Sequence, residues 1–452
     1  MIASAGTFVE ALDIAIINLT IPSIQAQFGI GAETVQWLQT LYVLFFGGFL
    51  IIGGKLSDQI GSRKIFLWGS LIFMLTSLGA GLSTSFGALA VFRALQGLGA
   101  AFIMPSAMSI VTHTFREERE RSRAIGIFSS FAAIGSGSGL SMGGIISTYL
   151  SWHWVFLINV PVLLITLIFA FRYLPQDEKR ETQKTDLLSG VLLVLGLLAL
   201  TYGTHELIHI REHAFMVAGS LVLAAVLLLS VVYRLKSKPE PLIDISIFRH
   251  TSLTVSNFAF VALGAFFIGF LFLISLMLQK DMGQSAASAG LMLVPFSILS
   301  ALVAKFILPH VAKRLNPAQM GIFGWVFMLT GAVLLLISVY SGHPLPLVLS
   351  GAACISGIGM TFCFTALSVL GIQDVNASDY GVAASLSSTS YFLGAGLGLS
   401  FMTLMSQVFL STLAVGTLSI TILIGYAVFA LAMLSYLIIR NLRIRQKEVA
   451  VS

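Results

Sequence analysis

The stretch Phe8–Pro22, FVEALDIAIINLTIP, is apolar enough to cross a membrane as a helix, yet it carries two carboxylates, Glu10 and Asp13. A carboxylate at the centre of a membrane helix costs on the order of 3 kcal/mol, so it is expected to face a protein interior or a water-filled cavity. The spacing of three residues places both acids on one helix face, where they can share a partner or a proton. We therefore expect this helix to be the coupling centre of the protein.

The composition of the whole chain is that of a polytopic membrane protein. Of its 452 residues, 57% are hydrophobic and only 10% are charged, against about 25% charged in soluble domains. The net charge of +6 could suggest nucleic-acid binding, but in a membrane protein the basic residues primarily indicate the topology of the chain. Cys354 and Cys363 both lie in one apolar run, which indicates neither a disulfide framework nor a metal cluster. No cofactor is predicted.

Fourteen apolar runs of about 20 residues, the length that a bilayer requires, predict an all-α protein with fourteen membrane helices. They lie near 5–28, 35–54, 64–82, 86–111, 123–148, 153–174, 187–205, 214–235, 253–279, 286–310, 318–340, 345–371, 381–410 and 413–440. The predicted parts are a six-helix bundle at 1–174, a linker at 175–186, two inserted helices at 187–235, a linker at 236–252, a second six-helix bundle at 253–440 and a tail at 441–452.

The distribution of basic residues orients the predicted helices. Twenty-one of the 25 Lys and Arg residues fall at the loops and tail of one side, while the other side holds only Arg211 and Lys280. Arg93 and Lys305 lie inside predicted spans. Because cytoplasmic loops carry the excess of Lys and Arg, this distribution predicts an N- and a C-terminus in the cytoplasm.

An internal repeat indicates that the two bundles arose by duplication. ALQGLGAAF at 94–102 resembles CISGIGMTF at 354–362, and GSGLS at 137–141 resembles GLGLS at 396–400. The matching segments lie 260 and 259 residues apart in the chain. Equivalent positions in the two bundles are therefore separated by six helices plus the inserted pair. Repeat-related halves of transporters place the binding site at their interface near the membrane midplane.

The loop between the second and third predicted helices carries an extended motif, GKLSDQIGSRK at 54–64. Glycines permit a tight turn, and the basic pair that ends the motif can anchor to phosphate headgroups. The motif resembles G-x-L-[AS]-D-x-x-G-R-[RK] of the major facilitator superfamily. That resemblance implies a role in conformational gating for Gly54, Asp58, Gly61, Arg63 and Lys64.

Further motifs resemble the fourteen-helix drug/proton antiporters of this superfamily. RALQGLGAA at 93–101 is similar to the fourth-helix motif of proton-driven members, and the run GSGSGLSMGG at 135–144 to the antiporter motif of the fifth helix. The opening stretch resembles F-[MV]-E-x-L-D-x-T-I-[VI]-N-x-A-x-P, and the runs WLQTLY at 37–42 and WHWVFLINVP at 152–161 fit the same subfamily. The resemblance adds four gating residues, which are Gly135, Gly139, Gly143 and Gly144.

The resemblance implies proton-coupled export of amphiphilic or cationic drugs by alternating access, without an enzymatic step. Asp13, Glu10 and Arg93 would couple proton movement to transport, with Arg93 close to one of the acids. A structural ion pair, or a clamp on backbone carbonyls, is the other interpretation of Arg93. The weaker candidates for substrate contact are Asn18, Trp37, Tyr42, Phe296, Tyr391 and Phe392. The expected partners are protons, a small-molecule substrate and the lipid bilayer of a cell (inner) membrane, with an envelope adaptor protein left open.

Two alternatives remain at this point. A facilitator of the same fold could move a lipid, a siderophore or another dedicated metabolite, since an apolar cavity with two acids suits these too. The remote alternative is a membrane-embedded metalloprotease, because HELIH at 205–209 satisfies H-E-x-x-H, in which His205 and His209 would hold zinc and Glu206 would act as base.

Overall fold

A computed structural model describes residues 1–115, 117–177, 186–238, 241–375, 380–408 and 415–451. Within these ranges the chain folds into helices and contains no strand, which confirms the all-α fold class. The α-helices are α1 Ile2–Ile16, α2 Ile21–Phe28, α3 Ala32–Val35, α4 Trp37–Ile60, α5 Ser62–Gly81, α6 Phe86–Thr114, α7 Glu118–Tyr149, α8 His153–Leu157, α9 Asn159–Tyr173, α10 Leu187–His205, α11 Ile210–Ser237, α12 Thr251–Leu276, α13 Ala286–Leu302, α14 Leu308–Ala312, α15 Pro317–Tyr340, α16 Leu345–Ala352, α17 Met360–Ile372, α18 Tyr380–Val408 and α19 Val415–Val451.

Twelve helical stretches among the described residues are long and apolar enough to cross a membrane. The long helices α7 and α18 coincide with the predicted spans at 123–148 and 381–410 but are not among the twelve. The count of fourteen membrane helices therefore stays a prediction. Most of the predicted linker at 175–186 lies outside the described residues.

The first predicted span is broken in two. α1 continues into a 3₁₀ turn at Ile17–Leu19, and α2 begins at Ile21 with Pro22 in its first turn. Proline has no backbone N–H and clashes with the preceding helical turn, so it starts a helix more easily than it continues one. α2 ends at Phe28, and the next residue, Gly29, has a left-handed φ of 63°. Both acids consequently lie on the segment before the break.

The helices form two compact units. The first comprises Met1–Asp244 and Ser275–Val294, and the second comprises Ile245–Ile274 and Pro295–Ser452. In the first unit the inserted pair, α10 and α11, packs as a hairpin and places α10 against α4. A side chain at Gly48 of α4 would overlap Val194, and one at Gly190 of α10 would overlap Ile52. These glycines let the two helix backbones approach closely.

In the first unit, α7 packs along the helix that carries the two acids. Gly135 lies over the backbone at Phe8, and Gly143 lies over the backbone at Ile16. Because both positions advance together along the chain, α1 and α7 run parallel. The glycine-dense run in α7 is thus a surface for close helix packing.

In the second unit, α18 repeats this arrangement against α12. Gly394 lies over the backbone at Val261, and Gly398 lies over Ala265. These two glycines follow Gly135 and Gly139 by 259 residues, the offset that the sequence repeat shows. The repeat therefore extends to helix packing within each unit.

The inserted hairpin is held at one end by a polar cluster. Asp186 caps α10, accepting hydrogen bonds from the backbone N–H of Ser189 at 3.4 Å and from its hydroxyl at 2.5 Å. Arg234 of α11 forms an ion pair with Asp186 and donates from Nε to Ser189 Oγ at 3.0 Å. Burial raises the pKa of Asp186, but these hydrogen bonds and the Arg234 charge outweigh it, and the pKa lies below its usual value.

We expect the stability of the hairpin to fall with acidification. A carboxyl whose pKa is depressed on folding stabilises the fold above its unfolded pKa, and this contribution is lost as the pH falls through the folded pKa. Asp186→Asn should lower the free energy of unfolding near neutral pH by about 1–2 kcal/mol and should flatten the acid side of the profile. Thermal unfolding in detergent across a pH series measures both effects. Asp281→Asn, at an exposed acid, is the control, and equal profiles for the two variants would contradict the prediction.

Candidate functional site

The structure brings Asp13 of α1 and Arg93 of α6 together as an ion pair. Arg93 Nη1 donates to Asp13 Oδ2, and both side chains are 0% exposed. The sequence prediction that Arg93 lies close to an acid of the first helix agrees with this contact. A fully buried pair of this kind is costly to desolvate and adds little to stability by itself.

Two further side chains fix the pair, and sequence reasoning had given neither of them a role. Asn159, at the start of α9, donates from Nδ2 to Asp13 Oδ1 at 2.9 Å. Gln96 accepts from Arg93 Nη1 at 3.0 Å, and its own amide donates to Ser77 of α5 at 2.8 Å. The resulting chain of hydrogen bonds links α5, α6, α1 and α9. The sequence feature that could have pointed to Asn159 and Gln96 is that both lie within segments that resemble the family motifs.

The rest of the guanidinium lies against a carbonyl and two aromatic rings. Arg93 Nε donates to the carbonyl of Leu38 in α4 at 3.2 Å. The guanidinium carbon lies 4.3 Å from the centroid of the Tyr42 ring and 5.8 Å from that of Phe156. Cation–π contacts strengthen when the cation is removed from water. Arg93 thus makes both an ion pair and a hydrogen bond to a backbone carbonyl.

Glu10 lies one helical turn before Asp13 and is 5% exposed. No described residue forms a hydrogen bond or an ion pair with its carboxylate. Glu10 and Asp13 interact electrostatically with each other and with Tyr42. Among the residues that the structure describes, the site therefore contains two acids and one cation, and of the acids only Asp13 is paired.

The loop motif is organised around Asp177, which the sequence did not single out. Gly61 has a φ of 116°, a left-handed value that disfavours a side chain. The Asp177 carboxylate accepts from the backbone N–H groups of Arg63 at 3.0 Å and of Lys64 at 3.1 Å. Arg63 Nη2 also donates to the carbonyl of Phe171 at 2.5 Å. These bonds tie the N-terminal end of α5 to the C-terminal end of α9.

The other predicted gating residues occupy separate places. Gly54 and the exposed Asp58 lie in the last two turns of α4. Gly135, Gly139 and Gly143 face α1, whereas Gly144 lies over the backbone at Ala286.

The candidates for substrate contact divide into several groups. Tyr42 belongs to the ion-pair site, but Asn18 donates to its own helix, at Ile14 O and Ala15 O. The ring centroids of Trp37 and Tyr202 lie 6.5 Å apart.

Two further candidates for substrate contact lie in the second unit, where the ring centroids of Tyr391 and Phe392 are 5.2 Å apart.

The aromatic group of the second unit extends beyond those two residues. Tyr391 lies 6.0 Å from Phe364, which lies 5.5 Å from Phe260 between ring centroids. Phe296 is 7% exposed and, among the described residues, makes no ring contact with this group. The structure thus places the rings of Tyr391 and Phe392 in contact with each other.

The H-E-x-x-H match falls at the turn between α10 and α11. The side chains of His205 and His209 lie outside the described residues, and Glu206 Oε2 lies 3.2 Å from His213 Nδ1. Within the described residues, no group of three or more His, Cys, Asp or Glu side chains is arranged to hold a metal ion.

Comparison with known proteins connects this geometry to a family. The family model described as Major Facilitator Superfamily matches residues 3–399. The chain belongs to the Major Facilitator Superfamily. This major facilitator is accordingly a multi-pass membrane protein.

The relatives of this major facilitator include proteins named for export or resistance. The cephamycin export protein CmcT of Amycolatopsis lactamdurans is 33% identical, over 88% of this chain and 83% of that protein. The multidrug resistance protein Stp of Mycobacterium tuberculosis is 28% identical, over 87% of this chain and 72% of that protein. The lincomycin resistance protein of Streptomyces lincolnensis is 28% identical, over 86% of this chain and 80% of that protein.

Solved structures agree on the fold of this major facilitator. A peptide transporter POT aligns with a TM-score of 0.71 at 16% identity, covering 96% of this chain and 93% of that one. A D-xylose-proton symporter aligns with a TM-score of 0.67 at 14% identity, covering 96% and 95%. At these identities the likeness concerns the fold alone.

Proposed function

We propose that this major facilitator exports amphiphilic or cationic drugs in exchange for protons, and that Glu10, Asp13 and Arg93 couple the two movements. The observation that carries the proposal is the fully buried Asp13–Arg93 pair, with a second acid one helical turn away that has no partner among the described residues. Apolar residues of similar volume are often at least as stabilising as a buried ion pair. Ionisable groups retained inside membrane helices therefore indicate function.

The substrate class follows from the relatives and from the chemistry of the site. The names of the relatives refer to cephamycin, lincomycin and multidrug resistance, which favours the export of drugs. A carboxylate without a partner among the described residues attracts an organic cation, and an aromatic face such as that of Tyr42 suits the apolar body of the cation.

The proton gradient is a sufficient energy source for such export. When one proton exchanges for a neutral drug, the charge moving through 100 mV yields about 2.3 kcal/mol, which corresponds to roughly a fiftyfold concentration ratio. When one proton exchanges for one cationic charge, no net charge crosses the membrane, and the pH difference supplies about 1.4 kcal/mol, roughly a tenfold ratio, for each pH unit. We propose that the chain lies in an inner membrane with both termini in the cytoplasm, as the distribution of Lys and Arg predicts. Alternating access would then connect the coupling site to each side in turn.

We also propose that the gating residues act through the helices they join. Asp177 and Arg63 tie α5 to α9, and α9 begins at Asn159, which bonds Asp13. A rearrangement at the Gly61 loop could therefore reach the coupling site through α9. Gly135, Gly139 and Gly143 would set the position of α1 itself.

Proton exchange can be tested in everted vesicles that contain the full chain and are acidified inside. Tetraphenylphosphonium suits the test because it is a permanent lipophilic cation without a titratable group. We expect its addition to dissipate the pH gradient, saturably, in vesicles with the chain and not in vesicles without it. A pH-sensitive dye reports the gradient. Movement of labelled phospholipid with no proton flux for any drug would replace this proposal with the lipid-facilitator alternative.

A further inference from the structure

We propose that Glu10 is the group that binds and releases the transported proton, while Asp13 serves as the fixed counter-ion of Arg93. This inference rests on the proposed proton-coupled export and assigns separate roles to the two acids. It is carried by the hydrogen bonds that surround each carboxylate.

Both oxygens of Asp13 are already engaged in this conformation. Oδ2 accepts from Arg93 Nη1, and Oδ1 accepts from Asn159 Nδ2 at 2.9 Å. An ionised carboxylate can accept both bonds, whereas a proton on either oxygen would convert that oxygen into a donor facing another donor. Protonation of Asp13 would also leave the guanidinium of Arg93 buried without an anion. Asp13 is therefore already engaged as the counter-ion of Arg93 in this conformation.

Glu10 has no such hydrogen bonds or ion pair from the part of the chain that the structure describes. It is 5% exposed, and no described residue donates a hydrogen bond to it or pairs with it. The Arg93 nitrogens Nε and Nη1 are committed to Leu38 O, Asp13 and Gln96. An ionised carboxylate buried without a partner costs so much that the group takes up a proton instead.

Other ionisable groups described around α1 do not change this difference between Asp13 and Glu10. α1 packs against α6, α7, α8 and α9, and the groups that interact electrostatically with Glu10 are Asp13 and Tyr42, with Arg93 beside both. The remaining ionisable side chains described on these four helices lie near helix ends. They are His113, Glu120, Tyr149, His153, Arg172 and Tyr173.

The exchange step that follows is balanced in charge. Neutral, protonated Glu10 loses its proton to the side from which substrate enters, and the incoming organic cation becomes the counter-ion of the resulting carboxylate. Reprotonation of Glu10 on the other side removes that charge and releases the cation. The Asp13–Arg93 pair stays intact throughout, so one proton exchanges for one cationic charge.

The test follows the proton on the purified full-length protein in detergent. Tetraphenylphosphonium is added to a weakly buffered solution that contains a pH indicator, and an infrared difference spectrum is recorded in parallel. The wild-type protein should release protons and lose the carbonyl stretch of a protonated carboxylic acid. Glu10→Gln should release none and lack that band, while still unfolding at or above the wild-type temperature because the amide resembles the neutral acid. Glu120→Gln, at an exposed acid, should behave like the wild type.

A second variant keeps the proposal falsifiable if Glu10→Gln fails to fold. Glu10→Asp should retain proton release with a shifted carbonyl band, since the titrating acid is now a different residue. An unshifted band in Glu10→Asp, or a persistent band and full proton release in folded Glu10→Gln, would overturn the assignment to Glu10 and leave proton coupling in place. Cation binding without proton release by the wild type would overturn proton coupling and this inference with it.

Discussion

Arg93→Ala is expected to reduce drug-driven proton flux to the level of vesicles without the chain and to lower the free energy of unfolding by about 3–5 kcal/mol. The substitution leaves Asp13 buried with a single remaining donor, Asn159. It also removes the donors to Leu38 O and to Gln96. Because a buried charge without its partner is far costlier than the pair is stabilising, the effect should exceed that of any exposed substitution.

Two further variants separate the effect of the Arg93 charge from the effect of Arg93 packing. Arg93→Lys keeps one positive charge but not the planar fork that reaches Asp13, Gln96 and Leu38 O together, so it should lose less stability and still impair transport. The double variant Arg93→Ala, Asp13→Asn removes both charges and should recover part of the stability without recovering proton flux. Arg172→Ala, at an exposed arginine of α9, is the matched control. Thermal unfolding in detergent and the vesicle assay measure the two effects, and wild-type behaviour of Arg93→Ala in both would contradict the prediction.

The sequence singled out Glu10, Asp13 and Arg93 as candidate coupling residues because their chemistry is out of place in a membrane. Two acids and one arginine within apolar runs must find partners, and helical spacing places the acids on one face. It could not divide the roles of Glu10 and Asp13, because that depends on which acid Asn159 reaches. Such contacts between residues far apart in the chain follow from packing and leave no periodic signal.

The sequence was equally unable to predict the partner of the motif at 54–64 and the point at which α1 ends. The motif at 54–64 was recognisable, but its partner Asp177 lies in a charged linker whose composition resembles that of any exposed loop. The break after α1 was missed, although Pro22 marks it, because apolar periodicity continues across the proline. The predicted substrate contacts rested mostly on aromatic residue types, which do not determine which rings meet, as Tyr391 meets Phe364 and Phe392.

Gly139→Ala is expected to lower the free energy of unfolding by about 1–3 kcal/mol, the usual cost of overpacking, and to impair transport. A Cβ at this position would lie 2.7 Å from Ala15 Cβ and 2.7 Å from Leu12 O. The second contact is with backbone, which cannot rotate away, so α1 must move relative to α7. Since α1 carries both acids, its displacement should disturb the alignment of Asp13 with Arg93 and Asn159. Gly139→Val should show a larger loss of both stability and transport.

The control for this prediction is expected to change stability in the opposite direction. Gly219 lies within the helix α11, and a Cβ there would meet no atom within 4 Å. Gly219→Ala should therefore be neutral or stabilise the protein by up to about 1 kcal/mol, because alanine favours the helix more than glycine does. Unfolding temperatures of the two variants, measured side by side with the vesicle assay, compare the same chemical change at a closed and an open site. If Gly139→Ala were as stable and as active as Gly219→Ala, the close approach of α7 would not be what positions the acids of α1.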